Sequence, residues 1–592
     1  MKFPYGISHF ETVVTEGYFY QDRTDRIPLV EEAGKYLLFI RPRRFGKSLW
    51  LSTLRHYYDV ALKDRFDELF GHLAIGKNPT PERGRYMVLG LDFSCVDPSG
   101  TVADIKESMT AHIHAQIHNF LLYYRKELGE VTGVYGENGL ASLIRLLGNV
   151  RAAGHPFYLF IDEYDNFANE VMSGLRHEED MYIGLVHEKG PLKTFFKSLK
   201  QAAGEGSIRR MFITGVSPVV MTDITSGFNI AKDIYLEDDM NDLCGFSEPE
   251  IRSAFEVIAR DSNGHDVNSG MELLRTYYNG YTFGSEPRKK IYNPTMVLYF
   301  LEHYQKHGEY PRQMLDANLA TDEAKLEFVA GLPRGRQLLL DITRESEPVA
   351  ITSISKRFGV AEMISDVGKT HDFVVSFLYY FGVLSVADIT SEGQLELRVP
   401  NLVVRGLYVN GIARFLLPDP GVRDDGRKTA ERVFTKGDIA PLREFVESRY
   451  FQVFRNRDYR WANELTVKTA FLTLLYDDVR FIMDSERETR RGYADLTMIV
   501  RPDMRKYALL DVLIEFKYVS LGDAGVTGEQ ARNLSAEELQ ALPAMAEKMD
   551  EARDQAVRYG AELEKKHGNL RLKTFAVVSL GFERLWAEAV GS

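Results

Sequence analysis

Two short strings in this chain set reactive side chains into frames that could hold them. The first, RPRRFGKS, runs from Arg41 to Ser48, after the apolar run Tyr36 to Ile40 and before a helical repeat of Leu49, Leu51, Leu54 and Tyr57 or Tyr58. A loop of this kind, closed by Gly46-Lys47-Ser48, can turn backbone N–H groups, a lysine and a hydroxyl onto a phosphate, with a helix N-terminus behind them. The second, LLDVLIEFKYV, spans Leu509 to Val519. In a strand, Glu515 and Lys517 share one face and Phe516 takes the other. Ionised groups in an apolar strand cost several kcal/mol each unless they are paired or bind a metal. Phosphodiester hydrolysis needs a divalent ion, carboxylates to hold it and a group that positions water. A Glu515–Lys517 ion pair is the plain alternative, but it leaves the nearby Asp495 and Glu464 without a role.

The phosphate-loop reading gains weight from FYLFIDEYD, Phe157 to Asp165. An apolar strand ending in Asp162-Glu163 is what ATP hydrolysis requires: Asp162 and Ser48 to organise Mg²⁺, Glu163 to orient the attacking water. Thr214, at the end of another apolar strand, could sense the γ-phosphate. The bland readings are a basic turn capping a helix and a strand ending in a solvated acidic turn. The usual first glycine of the loop is absent, with Arg41 in its place.

These residues need a sheet beneath them. Strand candidates at Tyr36–Ile40, Tyr86–Phe93, Phe157–Ile161 and Arg210–Thr214 alternate with helical stretches, which predicts a mostly parallel sheet covered on both faces. Residues 294–422 are mainly helical by pattern. A helix at Thr370–Phe381 and a hairpin around Ser391-Glu392-Gly393 predict a winged-helix module. Pro418–Lys428, rich in Pro, Gly and charge, reads as a linker. A second α/β pattern follows, with a helix from Thr466, strands at Val479–Met483, Tyr493–Ile499, Tyr507–Tyr518 and Thr574–Ser579, and a long helical region around Ala544–Lys566. The expected division is 1–290, 291–425 and 426–592.

At 592 residues the chain needs more than one core. Its net charge of −12 excludes a general basic coat, so nucleic-acid contact must come from local patches. Arg455, Arg457 and Arg460 before Glu464, and Arg487, Arg490 and Arg491 before Asp495, are such patches. Two distant cysteines, an N-terminus unlike a secretory signal and no apolar stretch of about 20 residues lead to the expectation of a cytoplasmic protein without a membrane span. His112, His114 and His118 share a helix, but they lack a third ligand in sequence and read as an ordinary helix face.

The order of IRPRRFGKSL, LDFS, FIDEYD, ITGVSP, YYNGYTF and YNP resembles the AAA-ATPase-like family of prokaryotic proteins, whose members commonly carry a C-terminal PD-(D/E)XK nuclease domain. In that family the first loop glycine is often replaced, as here. The resemblance implies an ASCE-type P-loop ATPase, a helical and winged-helix middle, and a restriction-endonuclease-like α/β domain. ATP would be held by the backbone of Arg43, Arg44, Phe45, Gly46, Lys47 and Ser48, with Asp162 and Thr214 beside it. Mg²⁺ or Mn²⁺ at the second site would take Asp495 and Glu515 as ligands, supported by Glu464 from the preceding helix, Lys517 and, as a downstream polar residue, Gln555. The implied substrate is nucleic acid, DNA being the expected form, in defence against foreign DNA or in mobile-element handling. The alternative is a nucleotide-dependent switch that binds DNA or protein, with an inactive nuclease-like scaffold. Homo-oligomerisation is left open, because no residue singles itself out as the arginine a neighbour would contribute.

Overall fold

The computed structural model describes residues 1–166, 184–186, 190–224, 228–260, 267–284, 289–315, 326, 329, 335–342, 348–356, 359, 370–454, 464–484, 487–489 and 492–591. They form two compact units, residues 1–309 with 350–400, and residues 310–349 with 401–592.

In the first unit a short helix α1 (Phe10–Thr15) precedes strand β1 (Tyr36–Ile40) and helix α2 (Lys47–Tyr58). Strands β2 (Met87–Asp92), β3 (Phe157–Asp162), β4 (Arg210–Gly215) and β5 (Lys232–Asp233) complete an all-parallel sheet in the order β2-β3-β4-β1-β5. All six residues of β3 are buried, the pattern of a strand covered on both faces. Because β4 lies between β1 and β3, the loops after all three strands open at the same edge. Further along, helix α3 (His371–Tyr380) leads into the hairpin β6 (Ser385–Ile389) and β7 (Leu395–Arg398), the expected winged module. Its contact with the start of the phosphate loop requires glycine: a Cβ on Gly382, at φ 74°, would lie 2.9 Å from the Pro42 ring.

The second unit corrects one expectation. The segment expected to be a linker is the start of a 17-residue helix α4 (Pro420–Lys436). Asp419 caps it, accepting from the N–H groups of Gly421 and Val422, and Pro420 takes the first helical position, where its missing N–H costs nothing. Gly426 allows close packing, since a Cβ there would lie 2.6 Å from Leu474 and 2.8 Å from Phe445. The same Pro, Gly and charges that suggest a linker thus begin a helix whose buried stripe, Ala430, Val433 and Phe434, comes only later.

Helix α5 (Glu464–Leu475) then leads into a five-stranded sheet of β8 (Phe481–Asp484), β9 (Leu496–Val500), β10 (Asp511–Val519), β11 (Leu572–Leu580) and β12 (Arg584–Val590), with helix α6 (Pro543–His567) between β10 and β11. The order is β12-β11-β10-β9-β8, and β10 and β11 are its parallel pair. Leu513 of β10 packs with Tyr559 and Leu563 of α6. Phe516 turns the other way and meets Phe471 of α5, ring centroids 5.1 Å apart. Strand alternation therefore puts Glu515 and Lys517 on the α6 side. Arg455, Arg457, Arg460, Arg490 and Arg491 lie outside the described residues, and Arg487 falls in a short ribbon, Arg487–Thr489 with Gly492–Ala494. Among the described residues no helix is long and apolar enough to cross a membrane.

Candidate active sites

The first site lies at the C-terminal edge of the parallel sheet. Gly46, at φ 90°, is the N-cap of α2, a left-handed conformation that favours glycine. Lys47 is buried, and its Nζ donates to the carbonyls of Arg41 at 3.0 Å and Pro42 at 3.2 Å. The exposed Ser48 donates through Oγ to Asp162 Oδ2 at 2.7 Å, and Thr214 Oγ1 donates to Asp162 Oδ1. These bonds join the ends of β3 and β4 to the first turn of α2. Glu163 Oε1 stands 3.7 Å from Lys47 Nζ, and burial raises its carboxyl above the usual range although Lys47 opposes the shift. Arg43 is half-buried and Arg44 exposed on the same loop. Arg44 at φ 64° and Glu163 at φ 50° are two of only three non-glycine residues with positive φ among those described. Backbone strain of this kind concentrates at functional sites.

Arg41 has a different task from the glycine it replaces. Its guanidinium is 1% exposed and donates to the carbonyls of Ile40 at 2.8 Å, Tyr235 at 2.7 Å and Met240 at 2.6 Å. It is sandwiched between Phe39 and Phe283, 4.4 and 4.2 Å from the ring centroids. Phe45 is buried as well, edge-on to Tyr281 at 4.9 Å and Phe283 at 5.2 Å, so only its backbone is available to a ligand. The YYNGYTF string, which the sequence marks only as core, is the floor beneath the loop. Asp165 ties the neighbouring loops together, accepting from the N–H of Ser217 at 2.7 Å and of Val216 at 3.1 Å.

Beside Gly46, Lys47 and Ser48 lies a cavity of about 290 Å³ lined by Tyr5, Ile7, Phe19, Tyr20, Phe246 and Leu298, among others. The sequence gives no sign of it. Residues 4–21 carry no motif, and only folding brings them to the loop.

The second site joins three elements of the second unit. The Asp495 N–H donates to Glu515 Oε1 at 3.2 Å, and the Phe516 N–H donates to Asp495 Oδ2 at 2.8 Å. The two carboxyl groups are themselves within hydrogen-bonding reach, and burial followed by the Asp495 charge pushes the Glu515 carboxyl up to about 9. Glu515 therefore keeps its proton at neutral pH, beside Asp495. Glu464, half-buried at the start of α5, is also raised, first by burial and then by Asp495, with Lys517 and Lys468 opposing. Lys517 Nζ donates to the Phe516 carbonyl at 2.9 Å, and no ion pair closes between Lys517 and Glu515, so the plain ion-pair alternative is not what forms. Gln555 sits half-buried on α6, one turn after Glu551, and makes no hydrogen bond to the two carboxyls.

Lys468 was not anticipated. It is 4% exposed on α5, one turn after Glu464, with Nζ 3.6 Å from Asp495 Oδ1. The Glu464-to-Lys468 spacing is the signal that could have found it: residues four apart share a helix face. A control lies on the same strand. Asp511 is equally buried, but it receives the N–H groups of Val500 and Arg571 and both terminal nitrogens of Arg505. That acid is satisfied by protein alone, whereas Asp495 and Glu515 face each other. The buried Glu515 carboxyl and the half-buried Asp495 carboxyl beside Lys468 are a donor set of oxygens that fits Mg²⁺ or Mn²⁺. On the helix of the three histidines, His114 bonds Ser142 at 2.8 Å and His118 bonds Tyr135 at 3.3 Å, as expected of a helix face.

A phosphate loop on a parallel sheet, followed in the same chain by paired acids on a mixed sheet, defines an α/β protein that joins a P-loop ATPase fold to a nuclease-superfamily fold. The chain carries a predicted AAA-ATPase-like domain, matching that family model over residues 4–225, and a PD-(D/E)XK nuclease superfamily domain, matching over residues 462–587. It is 24% identical over 552 residues to the "Uncharacterized protein in vnfD 5'region" of Azotobacter chroococcum mcd 1, a match covering 90% of this chain and 92% of that protein. Among solved structures, the Aeropyrum pernix ORC1 protein in complex with DNA is 13% identical, with 68% of this chain and 91% of that one covered and a TM-score of 0.24. Cdc6p from Pyrobaculum aerophilum is also 13% identical, with 67% and 97% covered and a TM-score of 0.27.

Proposed function

We propose that this chain is an ATP-dependent, divalent-metal-dependent phosphodiesterase acting on nucleic acid, with DNA as the substrate. Residues 1–290 bind and hydrolyse ATP, 291–425 form a helical and winged regulatory segment, and 426–592 cut. The observation that carries the reading is the Asp495–Glu515 pair with Lys468 and Lys517 around it, on the same chain as the Ser48–Asp162–Thr214 cluster.

At the first site the N–H groups of residues 43–48 cradle the phosphates. Lys47 exchanges its carbonyl partners for phosphate oxygens. Ser48 and Asp162 hold Mg²⁺, Glu163 orients water, and Thr214 sits beside Asp162 to register the terminal phosphate. The adjacent apolar cavity takes the base. At the second site Asp495 and Glu515 hold the ion, with Glu464 in support. When bound, the ion supplies Lewis-acid polarisation and a more acidic water. Glu515 gives up its proton on loading. Lys517 orients the attacking water and offsets charge on the phosphate, and Gln555 contributes a polar contact from α6. The ATPase cycle is coupled to cleavage, either by ATP binding licensing it or by hydrolysis moving the substrate or resetting the switch, in defence against foreign DNA or mobile-element handling.

The test is digestion of plasmid DNA with Mg²⁺ or Mn²⁺, with and without ATP, by the natural protein and by Asp495→Ala and Lys517→Ala. Cleavage confined to the natural protein is expected. Cleavage that survives both substitutions removes the assignment.

A further inference from the structure

We propose a second divalent-metal site, of the Zn²⁺ class, formed by His9, Glu11 and His56 at the end of α2 remote from the phosphate loop. One ligand atom from each lies within 4.8 Å of those of the other two, the arrangement found for a group of three such side chains among the described residues. None of the three belongs to either candidate site above.

The geometry at His56 favours a cation. Its Nδ1 lies 2.7 Å from the Ser52 carbonyl, which can only accept, so Nδ1 carries the proton and Nε2 the lone pair. Nε2 faces Glu11 Oε2 at 3.7 Å. In that tautomer a ring lone pair and a carboxylate oxygen face each other, a gap that a cation would join. The other oxygen of Glu11 accepts from Arg65 Nη1 at 2.7 Å, and Arg65 is held in turn by Glu68 at 2.7 Å. A histidine donating its far N–H to a carbonyl, and a carboxylate whose far oxygen is hydrogen-bonded, are the outer contacts that orient metal ligands.

His9 completes the set from the other element. It caps α1, its Nδ1 accepting from the Thr12 N–H at 3.4 Å with the Thr12 hydroxyl 2.9 Å away, so a cation at this ring would displace Thr12 from Nδ1 or take Nε2 in the other tautomer; the ring meets that of His56 edge-on at 5.1 Å. The Phe10 N–H donates to Ser52 Oγ at 2.9 Å, so α1 and α2 are already docked beside the site. The three residues lie on the wall of a cavity of about 400 Å³ that also receives Asp59, Tyr123 and Tyr124, leaving room for a water as fourth ligand. Two imidazoles and a carboxylate suit Zn²⁺ better than Mg²⁺, which prefers all-oxygen sites. His56 lies nine positions after Lys47, which puts this site about 13 Å along the helix from the loop, too far to share an ion with Ser48.

The test uses full-length, EDTA-stripped, nucleotide-free protein carrying Asp495→Asn, which disables the other metal site. Co²⁺ is titrated and its visible absorption followed, then Zn²⁺ is added in competition. One equivalent of Co²⁺ with the intense bands of a low-coordinate site, displaced by Zn²⁺, is expected. Affinity falls at least about tenfold in His56→Ala and in His9→Ala, and is unchanged in His112→Ala. His9 is exposed, so its variant stays informative if His56→Ala does not fold. Absence of saturable binding in the parent protein overturns the proposal, as does equal binding by the His9→Ala protein.

Discussion

Both candidate sites set an acid at the end of an apolar strand near a lysine, yet they resolve the burial of that acid in opposite ways. At the nucleotide site Asp162 is held by two hydroxyls, Ser48 and Thr214, and Lys47 rests on two carbonyls. Each of these four groups has a protein partner, and a ligand need only exchange with them. At the carboxylate site Asp495 and Glu515 face each other and are balanced by the proton Glu515 retains and by Lys468. The first is an assembled cradle, and the second carries a charge conflict that a divalent cation would relieve. Asp511, on the same strand as Glu515, shows that this chain can satisfy a buried acid completely when nothing needs to bind there.

The sharpest way to break the comparison is to disable each site separately. Asp495→Asn is expected to lower cleavage by roughly a thousandfold or more, the scale of losing a metal-assisted step, while leaving ATP binding intact in a fluorescent-nucleotide titration. Glu163→Gln comes next. Turnover of ATP should fall about a hundredfold, the lower range for a group that orients or deprotonates water, with nucleotide affinity retained. Equal hydrolysis rates in Glu163→Gln and natural protein would place the water-orienting group elsewhere.

Lys468 tests the charge conflict directly. If its ammonium offsets the carboxyl pair, Lys468→Met should destabilise the metal-free protein by about 3 kcal/mol, the scale of breaking a buried pair. Mn²⁺ should then return most of that loss, so the metal-induced rise in melting temperature is larger in the variant than in the natural chain. A rise of the same size in both would make Lys468 a structural residue only.

How far the sequence announced these sites follows from what positions each residue. Gly46-Lys47-Ser48, Asp162-Glu163 and Glu515-Phe516-Lys517 were legible because strand and helix periodicity alone sets their facing. Pairing Asp495 with Glu515 needed only the register of adjacent strands, Leu496 opposite Ile514. The Tyr5 and Phe19 wall of the nucleotide-side cavity was not legible, since it depends on a tertiary return of the N-terminal segment. Nor was the role of Arg41, because a charged residue in a loop gives no hint that three carbonyls and two aromatic rings will enclose it. Pro418–Lys428 misled for the opposite reason: Pro and Gly mark a helix start and a close helix contact as readily as a linker.

The last contrast concerns pH. Glu515 has a carboxyl raised to about 9 in the folded protein, above its value of about 4.5 when unfolded. Between those values the folded state binds a proton that the unfolded chain has released, so stability declines as pH rises, by at most about 1.4 kcal/mol per pH unit. Its contribution is whole below pH 4.5 and is lost by the time pH passes 9. Glu515→Gln keeps a neutral hydrogen-bonding group, so its melting temperature should change less with pH from 6 to 9 than that of the natural metal-free protein, and should exceed it most at the alkaline end. Saturating Mn²⁺ should flatten the natural protein's profile in the same way, because the cation takes over what the proton does. Parallel profiles for the two metal-free proteins would mean that Glu515 holds no such proton, and the contrast between an assembled site and a conflicted one would fail at that pair.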